Sequence, residues 1–228
     1  MSFARSIERE WLDTLPANDP RAMRSRRDLR RVNAVMLQPH IMANLLRGQN
    51  VGTACRVVEL GGGDGTFMLR VARRLGWRHV ELTLVDQQDI VSAQTRAAFS
   101  ALGWRLTVVK ADVFGFLSVA GDAANIVTSN LFLHHFSDSD LTRLLGGLVS
   151  LTPLFVACEP RRSTWALLSS RMLFAIGCND VSRHDAVTSV RAGFADAELS
   201  RLWPGGSAWR LNERGRGPFT HSFVAVRA

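Results

Sequence analysis

From Arg56 onward the chain alternates short β-branched runs with stretches that carry apolar residues at helical spacing. The runs RVVEL, HVELTLVD, WRLTVV, ANIVTSN and PLFVACEP read as strands. After the first, Met68, Val71, Ala72 and Leu75 mark one face of a helix that Gly76 closes. A second helix is predicted from about Ile90 to Leu102 with Gly103 as its stop, and a third starts at Ser137 with Asp140 in capping-box style. About fifty residues of mostly helical pattern then precede two more strand candidates, AWRLNE and PFTHSFVAVRA. Strands alternating with helices at this spacing predict βαβ units, hence an α/β fold with a seven-stranded, mostly parallel sheet and helices on both faces.

The first fifty residues are patterned differently. Phe3, Ile7, Trp11 and Leu15 fall four apart and predict a short helix ending at Pro16. Asp19-Pro20 reads as an N-cap and first-turn proline of a second helix bearing Leu29, Val32 and Met36 on one side. Pro39 and Gly48 limit the stretch after that helix. These residues form a helical segment, 1–50, ahead of a core over 51–228, within one domain overall. Neither an internal repeat nor a low-complexity linker interrupts the 228 residues.

Composition narrows the chemistry. Tyrosine is absent, so no phenol serves as acid, base or nucleophile. Lys110 is the sole lysine, and the formal charge of +8 is carried by arginine. Cys55, Cys158 and Cys178 cannot all pair and form no C-x-x-C, which argues against a disulfide framework or a thiolate zinc site and for a reducing compartment. No stretch approaches the roughly 18 uninterrupted apolar residues of a membrane span, and the N-terminus lacks the apolar core of a secretory signal. A cytoplasmic protein is expected.

The sharpest motif is Glu59-Leu60-Gly61-Gly62-Gly63-Asp64-Gly65, at the end of the first strand and directly before a helix. Glycines there permit a tight turn and close approach of a ligand to free N–H groups at a helix N-terminus. Thr66 stands where the dinucleotide fingerprint needs glycine, so the spacing is E-x-G-x-G-x-G. That motif resembles the first motif of the class I S-adenosylmethionine (SAM) dependent methyltransferases, and the likeness extends from about Arg56 to Pro160 and into GFADAELSRLW. The resemblance implies a Rossmann-like sheet, SAM as cofactor, and a set of contacts to it. Glu59, Gly61, Gly62 and Gly63 belong to the loop. Asp86, 25 residues after Gly61, ends the second strand and would hold the ribose hydroxyls, with Gln87 beside it. In KADVF, Asp112 would meet the adenine amino group, with Val113 and Phe114 flanking the ring; helix capping is the plainer role for Asp112. Asn130, in SNLFLHHFSD, would lie near the methionine moiety.

Methyl transfer to oxygen requires an aligned acceptor and removal of its proton. Leu133-His134-His135-Phe136-Ser137-Asp138 is similar to the L-H-D-W-S-D stretch of O-methyltransferases acting on phenols, which implies His134 as general base. His135 and Phe136 depart from that pattern, and L-H-H also occurs in carbon methyltransferases. Glu159 is a candidate to orient the base, against the plainer reading of a pair with Arg161 or Arg162. His184 is a further candidate, and His221 in the last strand reads as structural. A metal bound by His134, His135 and Asp138 is conceivable, but the spacing is not diagnostic and no metal is expected.

The resemblance places acceptor-binding walls in an N-terminal helical lid, 1–50, and in a cap insertion over about 161–205. Trp165, Leu167, Leu168, Met172, Leu173, Phe174 and Ile176 would line an apolar pocket or make a homodimer contact. Among Arg21, Arg24, Arg26, Arg27, Arg30 and Arg31, one arginine, or Asn33, would reach the SAM carboxylate. No aromatic residue lies between Trp11 and Phe67 to stack bases, which argues against nucleic acid. The expected activity is O-methylation of a phenolic or polyketide-type small molecule. The alternatives, in order, are C-methylation of a similar molecule, RNA methylation and a catalytically inactive SAM-binding partner.

Overall fold

The structure is a computed structural model that describes residues 3–16, 18–49, 55–120 and 124–228; the lid–core boundary expected at 50/51 lies outside the described residues. Three helices come first: α1 (Trp11–Thr14), α2 (Pro20–Val35) and α3 (Gln38–Arg47). The core then alternates β1 (Cys55–Leu60), α4 (Thr66–Leu75), β2 (Val80–Asp86), α5 (Ala93–Ala101), β3 (Trp104–Lys110), α6 (Val113–Val119) and β4 (Ile126–Asn130). A 3-10 turn over Leu133–His135 leads to α7 (Asp138–Leu151) and β5 (Leu154–Pro160). The remainder comprises α8 (Thr164–Arg171), a 3-10 segment Met172–Ile176, α9 (Asp180–Ala192), α10 (Glu198–Leu202), β6 (Trp209–Arg216) and β7 (Thr220–Arg227).

The seven strands form one sheet, as the alternating pattern predicts, and the structure orders them β3-β2-β1-β4-β5-β7-β6. Strands β1 to β5 are mutually parallel, while β7 runs antiparallel to both β5 and β6. The order reverses between β1 and β4, so a crevice opens beyond their carboxyl ends, where open α/β sheets bind ligands. Strands β4 and β5 are buried on both faces, which explains their continuous apolar runs. One face is covered by α3, α4 and α5 through Met42, Leu46, Met68, Val71 and Phe99; the other packs α7 and α10 through Leu141, Leu144, Leu148 and Leu199.

Local signals set most boundaries. Asp19 Oδ1 accepts from the backbone N–H of Arg21 and Ala22, with Pro20 in the first turn of α2. Ser137 Oγ accepts from Asp140 N–H at 3.2 Å and donates to the Asp140 carboxylate at 2.8 Å. Ser92 caps α5, so that helix begins at Ala93 rather than near Ile90. Two elements depart from expectation. The apolar spacing from Phe3 to Leu15 yields only the four-residue α1, and residues 3–10 run without helix, with Arg5 bonded to the His134 and Phe136 carbonyls after β4. Helix α3 is not part of a lid: its Met42, Ala43 and Leu46 are fully buried in the core beside α4.

Candidate active site

The glycine loop is shaped by two contacts. At Gly61, φ is +71°, and a Cβ there would stand 2.5 Å from the Phe132 ring, so only glycine fits. The N–H groups of Gly61 and Gly62 donate to the Val85 carbonyl at 2.9 and 3.1 Å. Gly63 N–H donates to Asp86 Oδ2 at 2.9 Å, and Gln88 N–H to Asp86 Oδ1 at 2.9 Å. The Asp86 carboxylate is thereby fixed at the mouth of β2 with lone pairs left over for a ligand. Asp64 accepts from Thr66 N–H at 3.0 Å and pairs with Arg30 at 2.7 Å, which fastens α2 across the loop.

A cavity of about 630 Å³ opens over this loop. That is within the range of small-molecule sites. Glu59, Gly61, Gly62, Gly63, Asp86, Gln87, Asp112, Val113, Asn130 and His134 all line it. Arg26, Arg30 and Asn33 close it from α2, and Ile7, Glu10, Leu12 and Asp13 from the N-terminal segment. In its wall, Oδ1 of Asn33 and Oδ1 of Asn130 are buried oxygens without a partner among the described residues. Glu59 is buried with a hydrogen bond from Thr128 Oγ1. Burial pushes its carboxyl up to about 8, against the pull of the Thr128 bond, with the charge of Glu159 adding to the rise. A buried carboxyl so placed, two orphaned acceptors and a fixed Asp86 form a donor-seeking wall, which fits the ammonium and ribose hydroxyls of SAM.

The second cluster sits where β4 and β5 end. Asn130 is followed by Leu131 at φ +51°, a conformation costly for a residue with a side chain and typical of functional sites. Its N–H donates to the Cys158 carbonyl at 2.9 Å. The turn that results aims three backbone N–H groups at Glu159: Oε1 accepts from Phe132 and Leu133 at 3.1 and 2.9 Å, and Oε2 from His134 at 3.4 Å. His134 Nδ1 lies 2.8 Å from Glu159 Oε2, and its Nε2 lies 3.3 Å from Glu10 Oε1. Burial alone would lower the His134 pKa, but the hydrogen bonds and charges of Glu10 and Glu159 outweigh it and raise the ring to about 9. Beside it, burial and the charge of His134 push His135 down to about 4. Burial, with Glu10 and Asp185, lifts Asp13 to about 6.

Several expected arrangements are not formed. Glu159 does not pair with its neighbours: Arg162 bonds Glu198, and Arg161 donates to the Gly217 carbonyl. Phe114 turns away from the cavity, edge-on to Phe136 at 5.7 Å and under the Arg143 guanidinium at 3.7 Å. Asp112 Oδ1 caps α6 through Phe114 and Gly115 N–H, the plainer role, while the residue still borders the cavity. Trp165, Leu167, Leu168, Met172, Leu173 and Ile176 line no part of it, and the Phe174 side chain lies outside the described residues. Asp138 pairs with Arg5 at 2.8 Å, so the His134–His135–Asp138 set is not assembled. Glu10, His134 and His135 instead bring three potential ligand atoms within 4.8 Å of one another. His184 stacks on Trp11 with ring centroids 4.0 Å apart, and His221 is buried against Glu213 at 2.8 Å.

The sequence reading overlooked Glu10, Asp13, Ser189 and Thr128. Glu10 accepts from Ser189 Oγ of α9, and Arg5 secures the same segment through the His134 and Phe136 carbonyls. No local motif announces these contacts, which join residues more than a hundred positions apart.

Residues 57–152 match the family described as the methyltransferase domain. No curated protein matches the chain. Among solved structures, an O-methyltransferase family protein from Burkholderia thailandensis aligns over 93% of this chain and 61% of its own, with 19% identity and a TM-score of 0.62. The mitomycin 7-O-methyltransferase MmcR aligns over 95% of this chain and 60% of its own, with 20% identity and a TM-score of 0.62. The plantazolicin methyltransferase BpumL, solved with SAH, aligns over 92% of both chains with 12% identity and a TM-score of 0.67. The chain thus spans about three fifths of the first two proteins and nearly all of the third. At these identities the likeness establishes the fold.

Proposed function

We propose that this chain, which carries a methyltransferase domain over residues 57–152, moves the methyl group of SAM to a hydroxyl of an apolar or aromatic small molecule. The carrying observation is the His134–Glu159 pair, 2.8 Å apart, in the wall of the cavity that holds the glycine loop and Asp86. SAM supplies an electrophilic methyl on a sulfonium, and the chain supplies position, dryness and a proton acceptor. Asp86 orients the ribose, Asn130 and Glu59 receive the ammonium, and Arg26, Arg30 and Asn33 border the place for the carboxylate.

Glu159, held by three backbone N–H groups, keeps the proton of His134 on Nδ1 and directs Nε2 into the cavity. With Glu10 also in place the ring is protonated at neutral pH and cannot act as a base. An acceptor hydroxyl that takes the place of Glu10 leaves one carboxylate on the ring and lowers its pKa, so that the Nε2 proton is released to solvent. The freed Nε2 then takes the hydroxyl proton as the acceptor oxygen gains the methyl group and S-adenosylhomocysteine is left. Ile7, Leu12, Leu29, Phe132 and Phe136 give the remaining wall an apolar character that suits a phenolic or polyketide-type acceptor.

The test is methyl transfer from labelled SAM to a panel of phenols and hydroxylated polyketides, compared with total RNA. Transfer to the small molecules, reduced at least about a hundredfold in His134→Ala with SAM binding retained, supports the reading. Transfer to RNA alone, or undiminished turnover in His134→Ala when chemistry limits the rate, refutes it.

A further inference from the structure

Outside the cavity, one face of α8 and the turn after it is unusually apolar. Trp165, Leu168 and Met172, at spacings of three and four, are 61%, 54% and 53% exposed, whereas Ala166 and Ser170 on the opposite side are buried. Ile176, at the end of the following 3-10 segment, is 52% exposed. Scattered apolar side chains need no explanation, but four within twelve residues, two on α8 and two on the 3-10 segment that continues it, form a patch. None of the four lines the cavity.

The border of this patch is basic. Arg171 stands in the last turn of α8, three residues after Leu168 and directly before Met172. Beyond the 3-10 segment, the Gly177 carbonyl accepts from Arg24 at 3.3 Å and Asp180 pairs with Arg21 at 2.6 Å, so the start of α2 lies alongside. Burial raises the Cys178 thiol, and Arg31, Arg183 and Arg24 are near enough to pull it back. Against these five arginines stand Asp180 and Asp28, and Asp28 is buried, accepting from Asn179 N–H and paired with Arg31. The rim keeps a net positive charge.

We propose that this face docks on an anionic lipid bilayer: Trp165, Leu168, Met172 and Ile176 enter the headgroup–acyl boundary while the arginines around them meet lipid phosphates. Tryptophan favours that depth, and an apolar face with a basic rim is the pattern of interfacial helices. The charge also discriminates between occupants. A two-fold contact with a second copy would set one arginine rim against the other, whereas an anionic surface complements it. No helix among the described residues is long and apolar enough to cross a membrane, so the attachment is peripheral. Helix α2 contributes both to the rim, through Arg21 and Arg24, and to the cavity, through Arg26 and Arg30, which sets the docked face beside the pocket wall.

Co-sedimentation of the full chain with phosphatidylcholine vesicles, with and without phosphatidylglycerol, tests the proposal. Partitioning onto the phosphatidylglycerol vesicles that high salt abolishes is expected. Arg24→Gln with Arg171→Gln should weaken it about tenfold or more. Leu168→Ser with Met172→Ser should remove it while SAM affinity by calorimetry stays unchanged, which verifies folding. Failure to bind phosphatidylglycerol vesicles at low salt overturns the proposal, as does equal binding to pure phosphatidylcholine. A dimer in sedimentation velocity that the serine variant dissolves also overturns it, in favour of a second copy.

Discussion

His134 carries a carboxylate on each ring nitrogen, and the two have different origins. Glu159 comes from the core strand β5, fixed by backbone N–H groups; Glu10 comes from residues 3–10, which form neither strand nor helix and lie against α9. The pair together raises the ring to about 9 against burial. If the free enzyme must lose that proton, kcat/KM rises with pH through a limb near 9. Glu10→Gln removes one negative charge and stabilises the neutral ring, so the limb should move down by about one pH unit or more, raising kcat/KM about tenfold near pH 7. A pH profile in which wild type and variant share the same limb would exclude His134 as the titrating base.

Glu59 makes the opposite case, a carboxyl without a cationic partner among the described residues. Its folded pKa near 8 stands above the ordinary carboxylate range, so the stability it contributes is full below about 4.5 and fades as pH rises through 8. Without cofactor, Glu59→Gln should therefore melt higher than wild type at pH 8, with the gap closing toward pH 5. The same variant should bind SAM about tenfold more weakly, since the ammonium loses its charged partner. Thermal melts across that pH range and calorimetry check both signs; a gap independent of pH would mean Glu59 is already ionised in the free protein.

At the scale of elements, the sequence made legible those features that local chemistry determines. Strand runs, Asp19 ahead of Pro20, Gly76 and Gly103 as stops, and the glycine loop each state their structure within a few residues. Helix α6 escaped notice because VFGFLSV is short, apolar on several sides and holds Gly115, so its period is ambiguous; the Asp112 cap was its clearest sign. The N-terminal spacing misled for a different reason. One turn of helix is costly to nucleate, and the Arg5 and Glu10 side chains gain partners at Asp138, His134 and Ser189 when the backbone runs extended instead. Helix α2 shows how a locally legible element acquires a distant duty. Its Arg30–Asp64 pair is partly exposed, so Arg30→Ala should cost at most about 1 kcal/mol of stability. Because Arg30 also borders the cavity, SAM affinity should fall about tenfold; calorimetry showing an unchanged Kd would reduce the pair to a structural tie.

The molecule as a whole divides its labour along the sheet edge. The glycine loop, Asp86, Asp112 and Asn130 all belong to the alternating core, with α2 tied down over them, whereas Ile7, Glu10, Leu12 and Asp13 reach the cavity from a segment that packs on α9. The contacts of that segment are mostly polar: Ser6 N–H to the Arg191 carbonyl, Arg5 to Asp138 and to the His134 and Phe136 carbonyls, Glu10 to His134 and Ser189, Trp11 N–H and Leu12 N–H to Asp185, and the Trp11 ring on His184. It buries little of the core, since α1 has no buried residue. Removing residues 1–15 should therefore leave the sheet folded and SAM affinity within about fivefold, because local unfolding free energy concentrates where apolar contacts are dense. Turnover should nevertheless fall by about a hundredfold or more, as the acceptor loses one wall of its pocket and the site opens to water. Calorimetry and labelled-SAM turnover on the same truncated protein separate the two effects. Retained turnover would place the acceptor against the core alone and return Glu10 to a structural role.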